Sequence, residues 1–134
     1  MNETKKQLTH ADLMHFTGDL ERYRTFHPKV VYTPGVKYVA EHGAAYWLID
    51  AITSYFGTRD MREAMKRDKR IQSLQFWRLD VRDEHSATLT ARADADVEPF
   101  ITQEITFTDF PLDTIDVWAG FDGTRWTLYL PSEH

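Results

Sequence analysis

Residues 41–56, EHGAAYWLIDAITSYF, carry the apolar pattern around which the rest of the chain can be interpreted. Its apolar side chains recur at spacings of three and four residues, which places them on one stripe of an α-helix. They are Ala45, Leu48, Ile49, Ile52 and Phe56. Gly57 then favours a left-handed helix end, and Thr58 can cap a following helix. The stretch therefore predicts one central helix that packs against a sheet.

After residue 73 the apolar period changes from that of a helix to two, which is typical of β-strands with one buried face. The alternation predicts five strands. They lie at 75–81, 87–91, 97–107, 115–121 and 124–130. Asp122-Gly123 separates the last two and is a strong hairpin signal, so we expect a two-residue turn. In that register Ala119 faces Trp126 and Val117 faces Leu128.

Signals in the N-terminal part of the chain are more local. Thr9 followed by Asp12 matches a capping box and predicts a short helix that ends at Gly18. Residues 19–29 show no period and predict a loop. Two β-branched and aromatic runs then predict short strands around a Thr-Pro-Gly turn at residues 33–35. These runs are 30–32 and 36–39.

Together these patterns predict an α+β fold. We expect an antiparallel sheet of about five to seven strands packed against the central helix, with one or two further short helices. Residues 1–7 predict a disordered lead-in, and residues 8–134 predict a single domain because no linker or repeat interrupts them.

Composition excludes several classes of protein. The 134 residues include no cysteine, which rules out disulfides and thiol catalysis and is typical of a reducing compartment. No apolar run reaches the length of a membrane helix, and the N-terminus lacks the apolar core of a signal peptide. We therefore expect a cytoplasmic protein with no membrane contact.

Charge divides the chain into two unequal parts. Residues 1–79 contain 13 Lys and Arg against 9 Asp and Glu, a net charge of +4. Residues 80–134 contain 3 against 12, a net charge of −9. An acidic half argues against a protein that wraps DNA over its whole surface. It permits an acidic face that docks on another protein, or a basic patch confined to the first part.

The last hairpin offers a candidate protein-binding surface. Four residues are predicted on the face opposite its apolar side chains, and two of them are aromatic. They are Asp116, Trp118, Arg125 and Tyr129. Aromatic side chains among charges are common anchors of protein interfaces. The sequence leaves open whether these aromatics are exposed or covered by a helix, and whether they bind a partner protein or a second copy in a homodimer.

A basic helical face after residue 58 is the basis of an alternative, nucleic-acid binding. Its members fall at three- and four-residue spacing. They are Arg59, Arg62, Lys66, Arg67 and Arg70. Acidic residues alternate with them, which is also typical of a solvated helix surface.

Evidence for an enzyme is weaker. A small hydrolase or transferase would have to use His42 with the carboxylates of residues 109–116, yet no nucleophile elbow, phosphate loop or dinucleotide motif is present. His10 and His15 lie on different sides of a helix and cannot share a metal ion. We expect no metal, no cofactor and no catalytic residue.

Three segments resemble a family of small, uncharacterised bacterial proteins that are often carried on plasmids and other mobile elements. They are YTPGVKYVAEHGAAYWLID at 32–50, FTDFPLDTIDVW at 107–118 and LPSE at 130–133. The resemblance implies a genomic setting and no reaction. The leading interpretation is therefore a non-catalytic protein-binding factor of a mobile element, which modulates a host or defence complex through its acidic sheet surface.

Overall fold

A computed structural model describes residues 8–17 and 21–134, and it has the predicted α+β fold. These residues form four α-helices and seven strands. The first six elements follow in the order α-β-β-α-α-α, and the remaining five strands come after them. The helices are α1 (His10–Leu13), α2 (Pro34–His42), α3 (Tyr46–Thr53) and α4 (Arg59–Arg67). The strands are β1 (Tyr23–Arg24), β2 (Val30–Tyr32), β3 (Leu74–Val81), β4 (Ala87–Arg92), β5 (Ile101–Ile105), β6 (Thr114–Phe121) and β7 (Trp126–Tyr129). Two 3₁₀ turns, Lys69–Gln72 and Pro131–Glu133, complete the described elements.

The seven strands form one sheet in the order β1-β2-β7-β6-β3-β4-β5. All neighbours are antiparallel except β2 and β7, which run parallel. The helices pack on one face. Buried side chains of α2 and α3 surround Val117 and Leu128 of the sheet, and Gln75 of β3 donates to the sulfur of Met61 in α4 at 3.4 Å. The opposite face carries exposed and partly exposed side chains, and we call it the open face.

Several local predictions are confirmed. Thr9 and Asp12 form the capping box of α1, Gly57 has a positive φ of 89°, and the Thr58 hydroxyl caps α4 by accepting from the amide of Met61. Val81 pairs with Ala87, so the predicted strands at 75–81 and 87–91 are neighbours that share one buried face. The predicted lead-in at 1–7 and helix end at Gly18 lie outside the described residues.

The single helix predicted at 41–56 is wrong. The helical layer breaks after His42, where Gly43 closes α2 and Ala44 adopts a positive φ of 52°, and α3 begins at Tyr46. Phe110, from the loop at 106–113, packs closely against Gly43, and a Cβ on Gly43 would lie 2.6 Å from its Cε1 atom. The helix ends at Gly43, where the loop packs against the backbone.

The strand predicted at 36–39 is also wrong, because these residues belong to α2. Thr33 is the N-cap, its hydroxyl accepting from the amide of Val36, and Pro34 occupies the first helical position. Proline is favoured there because the missing N–H has no helical partner in any case. The sequence signal of a turn was therefore the signal of a helix start.

Two other boundaries differ. The predicted loop at 19–29 contains β1, and the strand predicted at 97–107 is limited to β5. The last hairpin is shifted by two residues, since Phe121 pairs with Trp126 and Ala119 with Leu128. A two-residue shift preserves the faces, because side chains alternate with a period of two.

Candidate interaction surface on the open face

An aromatic row crosses the middle of the open face. Register places Tyr129 of β7 beside Trp118 of β6, Trp118 beside Phe76 of β3, and Phe76 beside Arg92 of β4. The Phe76 and Trp118 ring centroids lie 5.0 Å apart at 81°, and those of Trp118 and Tyr129 lie 6.2 Å apart at 82°. Such edge-to-face contacts are a favourable arrangement for aromatic rings.

A second row runs beside the aromatic one and contains an ion pair. The Arg78 guanidinium donates to both carboxylate oxygens of Asp116, at 2.7 and 3.1 Å. This hydrogen bonding raises the pKa of Arg78 above its ordinary value, against the effect of partial burial. Arg78 and Asp116 thus largely neutralise each other, and neither offers a free charge to a ligand.

The two rows line a cleft of about 640 Å³. Its lining residues are Phe76, Arg78, Asp80, Arg92, Ala95, Asp116 and Trp118. Among the described residues, Arg92 donates to neutral oxygens alone, the carbonyl of Val97 and the hydroxyl of Thr90, both at 3.1 Å. Asp80 is exposed, and among the described residues it has no ion pair within 4.0 Å. Among the described residues, the cleft therefore contains one positive and one negative side chain without an ion-pair partner, and we call Arg92 and Asp80 its unmatched charges. Asp80 still acts electrostatically on Arg78, whose pKa it raises.

The chain's own last residue covers part of the aromatic row. The His134 ring stacks on Tyr129 at 5.7 Å and lies 5.4 Å from the Trp118 ring, and a 2.8 Å hydrogen bond joins the Tyr129 hydroxyl to Nδ1 of His134. Burial raises the pKa of Tyr129. Trp118 is consequently half-buried, and its ring contacts among the described residues are with the aromatic row and His134, not with a helix.

Of the four residues predicted for this surface, three lie together on the open face. Asp116, Trp118 and Tyr129 occupy adjacent rows, whereas Arg125 is exposed in the turn and does not join them. The turn spans residues 122–125 because the Asp122 carboxylate accepts from the amides of Thr124 and Arg125, both at 2.8 Å. This side-chain bond explains why the predicted two-residue turn does not form.

Sequence reasoning missed Phe76, Arg92 and His134. Alternation in β3 already placed Phe76 on the same face as Arg78, so its part in the surface could have been found. Arg92 could not, because its position beside Phe76 depends on the pairing of β3 with β4.

The basic residues proposed for nucleic-acid binding are exposed but mostly engaged within the chain. Arg59 pairs with Glu63 at 3.2 Å, Arg62 donates to the carbonyl of Gly57 at 2.6 Å, and Arg70 pairs with Asp68 at 2.7 Å. The remaining two, Lys66 and Arg67, are exposed at the end of α4.

The residues considered for catalysis have structural contacts. His42 stacks on Tyr38 at 3.9 Å, and its Nδ1 lies 3.1 Å from the Tyr38 carbonyl oxygen. Asp113 lies 3.5 Å from His10, and Asp116 is bound to Arg78. Within residues 8–17 and 21–134, no cluster of three or more His, Cys, Asp or Glu could hold a metal ion.

Comparison with known families gives one result. Residues 7–134 match the model of a family of unknown function (DUF6876). The chain belongs to this family. Comparisons with curated proteins and with solved structures find no match. In the part of this family member that the structure describes, no helix has the length and apolar character needed to cross a membrane.

Proposed function

We propose that this family member is a non-catalytic protein-binding factor whose partner docks on the open face. The observation that carries the proposal is the aromatic row Tyr129–Trp118–Phe76, whose rings meet edge to face beside a cleft and are left uncovered by the helical layer. Rigid aromatic side chains bury much area at little entropic cost, which is why they dominate protein interfaces.

The unmatched charges of the cleft define the partner. Arg92 lies beside Phe76, and Asp80 follows Phe76 by four positions on the same strand, so the two charges are separated by about 13 Å along the strand. An extended segment that carries an acidic side chain, an apolar side chain and a basic side chain over five residues matches this spacing. We therefore assign the cleft to such a segment of a partner protein.

Nucleic acid fits these features less well. Asp80 lies on the open face without an ion-pair partner among the described residues and would repel phosphates, whereas Arg78, in the row beside the aromatic one, is already paired with Asp116. The rings meet edge to face, so they do not form a set of parallel platforms for successive bases. The basic helix stays the alternative nucleic-acid surface, although three of its five cations already have partners in the chain.

The biological setting is part of the proposal. Resemblance of the YWLID, FTDFPLD and LPSE segments supports a bacterial mobile element, and the lack of cysteine supports a cytoplasmic location. In this setting the partner belongs to a host or defence complex.

Affinity capture from the native host, followed by mass spectrometry, tests the proposal. We expect a stoichiometric protein that is retained by the wild type and lost with Trp118→Ala and with Asp80→Lys. Glu98→Lys is the matched control, because it makes the same change in charge at an exposed position outside the cleft. The purified partner should then bind Arg92→Glu weakly, and reversal of one partner carboxylate to lysine should restore that binding.

Three results would contradict the proposal. One is a captured protein that binds Trp118→Ala and Asp80→Lys as tightly as the wild type. Another is equal loss of binding with Glu98→Lys. The third is capture of nucleic acid whose affinity falls steeply with salt and weakens when Arg62 and Lys66 become alanine, which would favour the basic helix instead.

A further inference from the structure

The two edge strands of the sheet differ in how well they resist pairing with a strand of another chain. β1 is only two residues long and includes Arg24, a form of edge that discourages pairing with another chain. β5, at the opposite edge, spans Ile101–Ile105 and contains no lysine, arginine or proline. One side of β5 pairs with β4, and in the described chain no strand pairs with the other side.

We infer that β5 pairs antiparallel with β5 of a second copy of this chain, about a two-fold axis at Gln103. In this register Ile101 lies opposite Ile105 of the partner subunit, and Thr102 lies opposite the partner's Glu104. Ile101 and Ile105 continue the rows of Ala91 and Ala87 on the helix-covered face, so the contact extends apolar rows that already exist. Symmetry makes each of these pairs occur twice.

Charge disfavours one of the neighbouring registers. A two-fold axis at Glu104 would place two carboxylates directly opposite each other, which destabilises strand pairing. With the axis at Gln103, each Glu104 faces a threonine. Its carboxylate is also held by Arg82 at 2.8 Å and by the Thr88 hydroxyl at 3.0 Å, which reduces the remaining repulsion.

An exposed aromatic ring next to β5 fits the same arrangement. Phe107 is 60% exposed, and its ring contact in the described chain is with His85 at 5.6 Å. Continuation of the Gln103 register brings Phe107 opposite the partner's Pro99. A second copy would therefore cover an apolar side chain that the single chain leaves in water.

The inference concerns the sheet edge and is independent of the function proposed for the open face. The axis runs perpendicular to the sheet, so both clefts stay accessible on the same side of one continuous sheet. A dimer would thus present two partner-binding surfaces side by side.

Sedimentation equilibrium of the full chain over a wide range of concentrations provides the test. A single strand pair makes a small interface, so we expect a reversible monomer–dimer equilibrium with a Kd on the order of micromolar. Thr102→Glu places like charges opposite each other twice and should raise that Kd about tenfold or more. Thr102→Lys should leave the Kd unchanged or lower it, because lysine then faces Glu104.

Two further variants distinguish contacts made at the β5 edge from effects of the substitutions on the chain as a whole. Phe107→Ala should weaken the dimer without lowering the melting temperature measured at concentrations well below the Kd, since the ring is exposed in the monomer. Thr124→Glu adds the same charge in the exposed turn, away from β5, and should leave the dimer intact. A chain that stays monomeric up to about 1 mM, or equal Kd values for Thr102→Glu and Thr102→Lys, would overturn the inference.

Discussion

Glu133 accepts a 2.6 Å hydrogen bond from the hydroxyl of Thr33, a residue 100 positions earlier in the chain. Its other oxygen accepts from the amide of Gly35 at 3.2 Å, and the amide of Leu130 donates to the first oxygen at 2.9 Å. The carboxylate therefore sits at the positive end of α2, where a helix favours negative charge. This contact gives the LPSE segment a structural role, which is to fasten α2 to the end of β7.

Replacement of Glu133 by alanine should therefore destabilise the whole fold. The Thr33 hydroxyl and the Gly35 amide both lose a partner, and charge-assisted hydrogen bonds of this kind are worth about 1.5–3 kcal/mol. We expect Glu133→Ala to lower the free energy of unfolding by about that amount in urea titration. Glu98→Ala, at an exposed position without such bonds, should change it by less than about 0.5 kcal/mol. Equal effects of the two substitutions would argue against the fastening role.

The break between α2 and α3 predicts that substitutions at the adjacent positions 43 and 44 have opposite effects on stability. Gly43→Ala forces a Cβ to within 2.6 Å of Phe110 and 2.8 Å of the Val39 carbonyl oxygen, and should cost about 1–3 kcal/mol. Ala44→Gly relieves a left-handed backbone and should stabilise the protein by about 0.5–1 kcal/mol. In a continuous helix both signs would reverse, because alanine is the better helix former, so melting curves of the two variants decide the matter.

The faces of α3 give a third prediction. Leu48 and Ile52 are buried against the sheet, whereas Asp50 is exposed. Leu48→Ala or Ile52→Ala should lower the free energy of unfolding by about 2–5 kcal/mol, through lost apolar burial and a residual cavity. Asp50→Ala should change it by no more than about 0.5 kcal/mol. A melting series in which Asp50→Ala is the most harmful would show that the faces are assigned wrongly.

The turn at residues 122–125 should depend on pH. Backbone amides of Arg125 and Thr124 donate to Asp122 and hold the pKa of its carboxyl below the ordinary value. A carboxylate with a lowered pKa stabilises the fold at neutral pH, and this contribution is lost as pH falls through the folded-state pKa, which lies below the ordinary value of an aspartate. We expect the Thr124 and Arg125 amide resonances to shift there, and the protection of these amides relative to the intrinsic exchange rate at the same pH to fall. Asp122→Asn keeps an oxygen acceptor that does not titrate. In this variant the Thr124 and Arg125 amide resonances should therefore be unaffected over the same pH range.

Local patterns in the sequence predicted much of this fold, since they depend on neighbours a few residues apart. The caps at Thr9 and Thr58, the helix end at Gly57 and the alternation in β3, β4 and β6 are of this kind. The helix break could not be predicted, because it arises from contact between Gly43 and the distant Phe110.

In the candidate surface, too, local patterns could be predicted and contacts between distant residues could not. Trp118 and Tyr129 were placed on one face by alternation within a single hairpin, and a register shift of two residues did not change that result. Phe76 lies beside Trp118 because β3 pairs with β6, and these two strands are not consecutive in the sequence. Arg92 joins the surface through the pairing of β4 with β3. Arg125 was misplaced because the Asp122 side chain enlarges the turn.

The parallel pairing of β2 with β7 has a consequence for biosynthesis. β7 lies between β2 and β6, so β1 and β2 have no connection to the rest of the sheet until residues 126–129 are available. On the ribosome, β2 leaves the exit tunnel long before the strand that receives it. Among the described strands, only β1 can then pair with β2, so Val30 and Val31 stay without their β7 neighbours until the last strand is made, and apolar segments exposed in this way favour aggregation of a nascent chain.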